Sequence, residues 1–246
     1  MDYQADKNLL ENKTILVTGA GDGIGRQAAL TFAQHGATVI LLGKTVKKLE
    51  AVYDEIEALN APTPAIIPLD MNGATVENYK NMADTIDSQF GKLDGLLNNA
   101  SQLGVLGPFH QIDEKSYDKV MQVNVKAQVF MTSALLPVMK KAEQASIVFT
   151  SSSVGVKGRA YWAEYAISKF ATEGMMQTLA HEMEGTQVKV NAINPGGTHT
   201  RMRAQAFPAE DISLLKTPKD LMPLYVYLMA PESINVNGQC IDAQPK

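Results

Sequence analysis

Short apolar, β-branched runs alternate along the chain with longer stretches of helical period. This alternation constrains the fold more than any other feature. Residues 14–18 read as a buried strand, and 24–35 as a helix with Ile24, Ala28 and Phe32 on one face. Further strands are predicted over 37–42, 65–69, 93–97, 146–150 and 188–193, with a short one near 239–241. Helices are predicted over 47–59, 76–90, 116–140, 162–184 and 219–229. Strands apolar on both sides and joined through helices imply a doubly wound parallel sheet of about seven strands, covered on both faces. Crossovers are expected to be right-handed. A length of 246 residues suits one domain spanning 1–246. The least regular stretch, 199–218, is expected to be a surface loop or lid beside a substrate.

Composition narrows the function classes. With 45% hydrophobic residues and a net charge of −4, disorder is excluded. No Lys/Arg block provides the basic face that nucleic acid needs. The one cysteine, Cys240, cannot form an internal disulfide, which points to reducing cytoplasm. The N-terminal residues lack the apolar core of a signal peptide, and no apolar run approaches the roughly 20 residues of a membrane span.

The first strand runs into Thr18-Gly19-Ala20-Gly21-Asp22-Gly23-Ile24-Gly25, and a helix follows. Glycines let a backbone turn tightly and approach a diphosphate, while the helix N-terminus offers free N–H groups. Strand before and helix after make residues 19–25 a candidate dinucleotide-binding loop of a Rossmann-like fold. An acid about 20 residues further on would hold the ribose hydroxyls of NAD. Here that region is Leu41-Leu42-Gly43-Lys44-Thr45, without an acid. Lys44 would attract a 2′-phosphate, which favours NADP(H) and leaves NAD(H) open; Asp22 is a nearby charge of the wrong sign.

Tyr165 and Lys169 lie four residues apart on a predicted helix, so both side chains share a face about 6 Å apart along the axis. An isolated phenol is a poor base at neutral pH, and a nearby ammonium favours its phenolate. Such a pair can exchange a proton with a carbonyl or alcohol oxygen. Ser151, Ser152 and Ser153 follow the fifth strand, and any of them could meet the phenol at the C-terminal edge of the sheet.

Seven segments together resemble the short-chain dehydrogenases/reductases, in their compact branch. They are TGAGDGIG (18–25), LDM (69–71), NNA (98–100), VNV (123–125), SSSVG (151–155), YAISK (165–169) and NPGGTHT (194–200), in family order. The stretch 149–177 is also similar to a subgroup of bacterial oxidoreductases whose substrate is not settled. The resemblance implies Tyr165 as general acid/base, with Lys169 holding the nicotinamide ribose and lowering the tyrosine pKa. It implies Ser152 on the substrate oxygen and Asn124 positioning a water in the proton relay. Asp70 would contact adenine, Asn98 and Ala100 would line the adenosine side, and Pro195, Gly196, Thr198 and Thr200 would seat the nicotinamide. A homodimer or homotetramer is implied as well. Two departures stand out: the usual NNAG ends here in Ser101, and the usual glycine-rich C-terminus reads Ile241-Asp242-Ala243-Gln244-Pro245. The second puts in doubt a tetramer built through the C-terminus.

His35, His110, His181 and His199 have no metal-ligand spacing, and no metal is expected. Arg159, Arg201 and Arg203 flank the expected pocket, where they are solvated loop residues or an anion clamp. The reading that follows is an NAD(P)(H)-dependent oxidoreductase interconverting a carbonyl and a secondary alcohol on a small molecule. A dinucleotide-binding sensor or scaffold is the alternative, and the presence of Asn124, Ser152, Tyr165 and Lys169 together argues against it. A sugar-nucleotide epimerase or dehydratase would need an added substrate domain, for which 246 residues leave no room.

Overall fold

The computed structural model describes residues 3–245, so the first two residues and the last of the expected 1–246 span lie outside it. Seven strands form one parallel sheet: β1 (Thr14–Thr18), β2 (Thr38–Gly43), β3 (Ala65–Pro68), β4 (Gly95–Asn98), β5 (Ala145–Thr150), β6 (Val188–Asn194) and β7 (Cys240–Asp242). The order is β3-β2-β1-β4-β5-β6-β7. The chain leaves β1 toward one edge, then crosses back to β4 and proceeds to the other. That reversal opens a crevice at the C-terminal ends of β1 and β4, where doubly wound sheets bind ligands.

Strand periodicity divides the core in two. Ile15 and Val17 of β1 face one side with Val39 and Leu41; Leu16 faces the other with Ile40 and Leu42. The first side is covered by α1 (Gly23–Gln34), α2 (Val46–Ala58) and α8 (Pro218–Met229). The second is covered by α3 (Val76–Phe90), α5 (Ala127–Met139) and α6 (Ala163–Glu182). Caps fix where helices begin. Thr75 and Asn78 form a reciprocal box at α3, and Gly91, with φ of 73°, ends it.

Two elements differ from expectation. The helix expected over 116–140 is α4 (Glu114–Met121), a π-helical turn (Gln122–Lys126) and α5. The wider turn inserts an extra residue where Asn124 sits, and such turns favour functional sites. The strand expected from 93 starts at Gly95, and the Asp94 side chain before it accepts from Thr14 N–H at 2.9 Å and from Lys92 at 2.9 Å. Residues 199–218 carry α7 (Arg201–Ala206) and a short 3-10 turn, and Thr198 pairs with Lys216 in an isolated bridge. Among the described residues, no helix is long and apolar enough to cross a membrane.

Candidate active site

The glycine loop is packed for close approach. Gly19 and Gly23 hold φ of 67° and 54°, and a Cβ on Gly25 would overlap the Gly19 carbonyl and lie 2.6 Å from Asn99 Nδ2. Asp22 caps α1, accepting the Gly23 N–H at 2.8 Å. No protein acceptor meets the Ile24 and Gly25 N–H groups among the described residues. The helix end therefore fits a diphosphate. At the end of β2, Lys44 is exposed and Thr45, the N-cap of α2, makes no side-chain cap bond. Lys48 pairs with Asp22 at 2.5 Å, which holds the Asp22 carboxyl below its usual range and cancels its repulsion of an anion. A free lysine beside an uncapped helix start fits a 2′-phosphate.

The remaining expected cofactor residues divide into two groups. Asp70 is exposed and accepts the Asn72 N–H at 3.0 Å, so its second oxygen is open to a base. Asn98 is fully buried and donates to Thr132 at 3.1 Å, which ties β4 to α5 and turns its side chain away from the crevice. Its neighbour Asn99 joins the strands on either side of β4. Asn99 donates to the Thr18 carbonyl at 3.1 Å and accepts from Thr150 at 3.3 Å, spanning the crevice from β1 to β5. In the sequence it is the middle residue of the NNA segment at 98–100. The Ala100 N–H donates to Thr18 Oγ1 at 2.9 Å. Pro195 and Gly196 form a turn braced by Gln244, whose amide donates to the Pro195 carbonyl at 2.7 Å and to the Gly197 carbonyl at 3.0 Å. Thr198 is buried within this turn. Thr200 caps α7, and its methyl would lie 3.6 Å from a Cβ on Gly23, so it closes over the phosphate loop.

The candidate acid/base group, Tyr165, is buried. Tyr165 lies among Leu103, Val154 and Ala166, with Trp162 edge-on at 6.0 Å between ring centroids. Burial pushes its phenol up to about 12, and the nearby Ser101 and Ser152 hydroxyls pull the other way. Lys169 is fully buried one turn along, with Nζ 5.3 Å from the centre of the Tyr165 ring and donating to the Thr150 carbonyl at 2.7 Å. Burial pushes its amine down to about 8, against the pull of Glu173. Here the Lys169 ammonium faces the Tyr165 ring, and burial is the largest influence on the phenol. Ser152, rather than Ser151 or Ser153, faces the phenol; Ser151 instead donates to Glu173 behind Lys169.

The Asn124 side chain is fully buried and committed. It accepts the Gln102 N–H at 2.7 Å and donates to the Gln102 carbonyl at 2.8 Å and to Ser168 at 2.9 Å. It therefore clamps the 102–106 loop to α6, and both of its amide donors are spent on protein. Glu164, beside Tyr165, does the same further along, accepting from Val105 N–H at 3.1 Å and Ser116 at 2.7 Å. Arg203 is held by Glu210 through two bonds at 2.6 and 2.5 Å and stacks on Phe207 at 3.8 Å. Arg159 lies over Trp162 and Phe207 at 5.3 and 5.1 Å. Among the described residues, no three His, Cys, Asp or Glu side chains group as a metal site.

A glycine-cradled helix start at a sheet crossover, with a buried tyrosine, lysine and serine beside it, defines a Rossmann-type oxidoreductase. The chain belongs to the short chain dehydrogenase family, whose model matches residues 13–211. It is 51% identical to the uncharacterized oxidoreductase YciK of Escherichia coli K12, over 100% of this chain and 97% of that protein. A short chain dehydrogenase of Shigella flexneri 2a, solved in complex with NADP, superposes with a TM-score of 0.96 at 50% identity, covering 98% of this chain and 100% of that one. One from Escherichia coli CFT073, solved with NADPH, gives the same score, identity and coverage.

Proposed function

We propose that the protein interconverts a carbonyl and a secondary alcohol with NADP(H), and that Tyr165 is the general acid/base. The observation that carries this reading is the Tyr165 phenol, buried at the crevice edge with the Ser152 hydroxyl facing it and Lys169 one turn along the same helix. When bound, the cofactor supplies or takes the hydride. Ser152 and Tyr165 both offer an O–H to a carbonyl oxygen, and Tyr165 passes its proton there as the carbonyl becomes an alcohol. A phenol held at about 12 is protonated at neutral pH, which suits it to the reductive direction. Lys169 and Asn124 hold the surroundings, the first through Thr150 and the second through the 102–106 loop.

NADP(H) is supported over NAD(H) by Lys44, by the uncapped start of α2, and by the two relatives solved with that cofactor. Leu103, Val154, Trp162 and Met202 wall the phenol, which fits a carbonyl carried on an apolar framework. Exposed Val129 and Phe130 on α5, and Ile167 and Phe170 on α6, fit a homo-oligomer paired through these helices.

The test is a panel of carbonyls and alcohols followed by NADPH absorbance. Tyr165→Phe is expected to lose turnover and keep NADPH binding; retained turnover overturns the mechanism. Wild type and Lys44→Ala are compared for both cofactors, and tighter NAD binding by wild type overturns the preference.

A further inference from the structure

We propose that Arg159 determines substrate choice by binding an anionic group, and that the substrate is an oxo-carboxylate whose carbonyl reaches Tyr165 while its carboxylate pairs with this guanidinium. The assignment of the carbonyl end rests on Tyr165 being the general acid/base.

Three arginines flank the crevice, and the structure separates them. Arg203 is neutralised by Glu210 through two hydrogen bonds. Arg201 follows Thr200, whose methyl lies against the phosphate loop at Gly23, on the side of the cofactor. Arg159 is exposed, and among the described residues its guanidinium makes no ion pair and no hydrogen bond. It is nevertheless held in place. It lies 5.3 Å from the Trp162 ring and 5.1 Å from the Phe207 ring, and those two rings are 5.5 Å apart. A guanidinium can rest on aromatic rings and still offer its in-plane N–H donors, which match a carboxylate as a fork.

The backbone fixes the same arrangement. Tyr161, between Arg159 and Trp162, holds φ of 70°, which an aromatic residue rarely adopts. Its carbonyl accepts the Gly107 N–H at 3.0 Å, and the Trp162 N–H donates to the Arg159 carbonyl at 3.2 Å. Strain of this kind persists only where the surroundings enforce it, and it clusters at ligand sites. Phe207 comes from the 199–218 segment, where its N–H donates to the Arg203 carbonyl at 2.9 Å. Arg159 is thus presented by two segments that both border the crevice.

Its position sets the shape of the ligand. Trp162 packs edge-on to Tyr165 at 6.0 Å, so one aromatic ring separates the guanidinium from the ring of the phenol. Leu103, Val154 and Met202 pack in the same cluster. A ligand reaching from the phenol to Arg159 therefore meets apolar walls along its length and a cation at its end. Arg159 also lines a cavity of about 490 Å³ with Phe109, Tyr161 and Ala166, and it is the one charged residue among the described residues lining it. A single unpaired cation on apolar walls matches a monoanion with a hydrocarbon body.

Trp162 is the only tryptophan of the chain, so its emission reports on this site without turnover. Full-length protein saturated with NADP is titrated with levulinate and its longer straight-chain homologues, each beside the corresponding neutral amide. The carboxylates are expected to change the emission saturably, at concentrations about tenfold or more below those of the amides. Arg159→Gln is expected to bring the two to the same level, with NADPH binding and circular dichroism confirming that it is folded. For an oxo-carboxylate that is reduced, KM should rise about tenfold or more in Arg159→Gln while kcat changes little and KM for the amide holds. Amides that bind as well as carboxylates, a preference that survives Arg159→Gln, or no saturable response to any carboxylate overturns the proposal. Retained turnover in Tyr165→Phe would instead overturn the acid/base reading, and the Trp162 titration reports independently of that result.

Discussion

Gly25→Ala tests whether the phosphate loop and the 98–100 segment form one packed unit. The added methyl would overlap the Gly19 carbonyl and lie 2.6 Å from Asn99 Nδ2. Neither neighbour can yield cheaply. Gly19 is fixed in a left-handed turn with φ of 67°, and Asn99 Nδ2 is held 3.1 Å from the Thr18 carbonyl. Overpacking of this kind costs about 1–3 kcal/mol, and displacing Asn99 adds roughly 1 kcal/mol for the lost hydrogen bond. The sum, about 2–4 kcal/mol, should lower the thermal midpoint by roughly 5–15 °C in a chain of this size. NADPH affinity, read by fluorescence, should fall more than about tenfold, because the N–H cradle is displaced with the loop. Gly73→Ala is the control, since nothing lies within 4 Å of its added methyl. If Gly25→Ala melts with Gly73→Ala and binds NADPH as wild type does, the loop is not packed as described and the reasoning is refuted.

Gly104→Ala would drive a methyl into the Glu164 carboxylate at a residue with φ of 73°, so kcat/KM for a carbonyl substrate should drop while NADPH affinity holds. Asn124→Ala removes three buried hydrogen bonds, and denaturant unfolding should show a loss of about 2–4 kcal/mol. Tyr165 and Lys169 make opposite contributions to stability at high pH. The folded-state pKa of Lys169 is lowered to about 8, so the unfolded chain binds more protons above that pH and stability rises until the ordinary lysine value is passed. That of Tyr165 is raised to about 12, so its contribution is full below the ordinary tyrosine value of about 10 and is lost as pH climbs to about 12. Urea midpoints against pH should lose the rise in Lys169→Met and lose part of the fall in Tyr165→Phe; parallel curves for all three proteins would contradict both assignments.

The parallel sheet was legible because its strands are apolar on both faces and its helices repeat at helical period, signals that survive without tertiary knowledge. The helix at 76–90 was legible at both ends, since Thr75 and Gly91 carry their capping chemistry locally. The π turn at Gln122–Lys126 was not, because hydrophobic period cannot register one extra residue inside a continuous helix. Tyr165, Lys169 and Ser152 could be named from spacing and family pattern, and the structure brings them together. Where Asn98 and Asn99 each point could not be named that way. Two adjacent asparagines at a strand end point to opposite faces, and only the sheet decides that Asn98 enters the core while Asn99 spans the crevice. Gln244, Glu164 and Gln102 were invisible because each acts over 45 or more residues of sequence, or through backbone groups that any residue carries.

Burial gives the site its chemical bias. It pushes the Tyr165 phenol up and the Lys169 amine down, so both groups move toward neutrality. Left alone, that trend would make the tyrosine a proton donor and deprive it of any role as a base. Three features oppose it: Glu173 pulls the Lys169 pKa back up, while the nearby Ser152 and Ser101 hydroxyls pull that of the phenol down. Lys169 donates to the Thr150 carbonyl and faces the Tyr165 ring. In the proposed mechanism, serine side chains at short range then influence proton transfer at the phenol. Replacing one of them should change the rate of proton transfer more than it changes the grip on the cofactor, whose expected contacts lie on the glycine loop, α2 and the 195–200 turn.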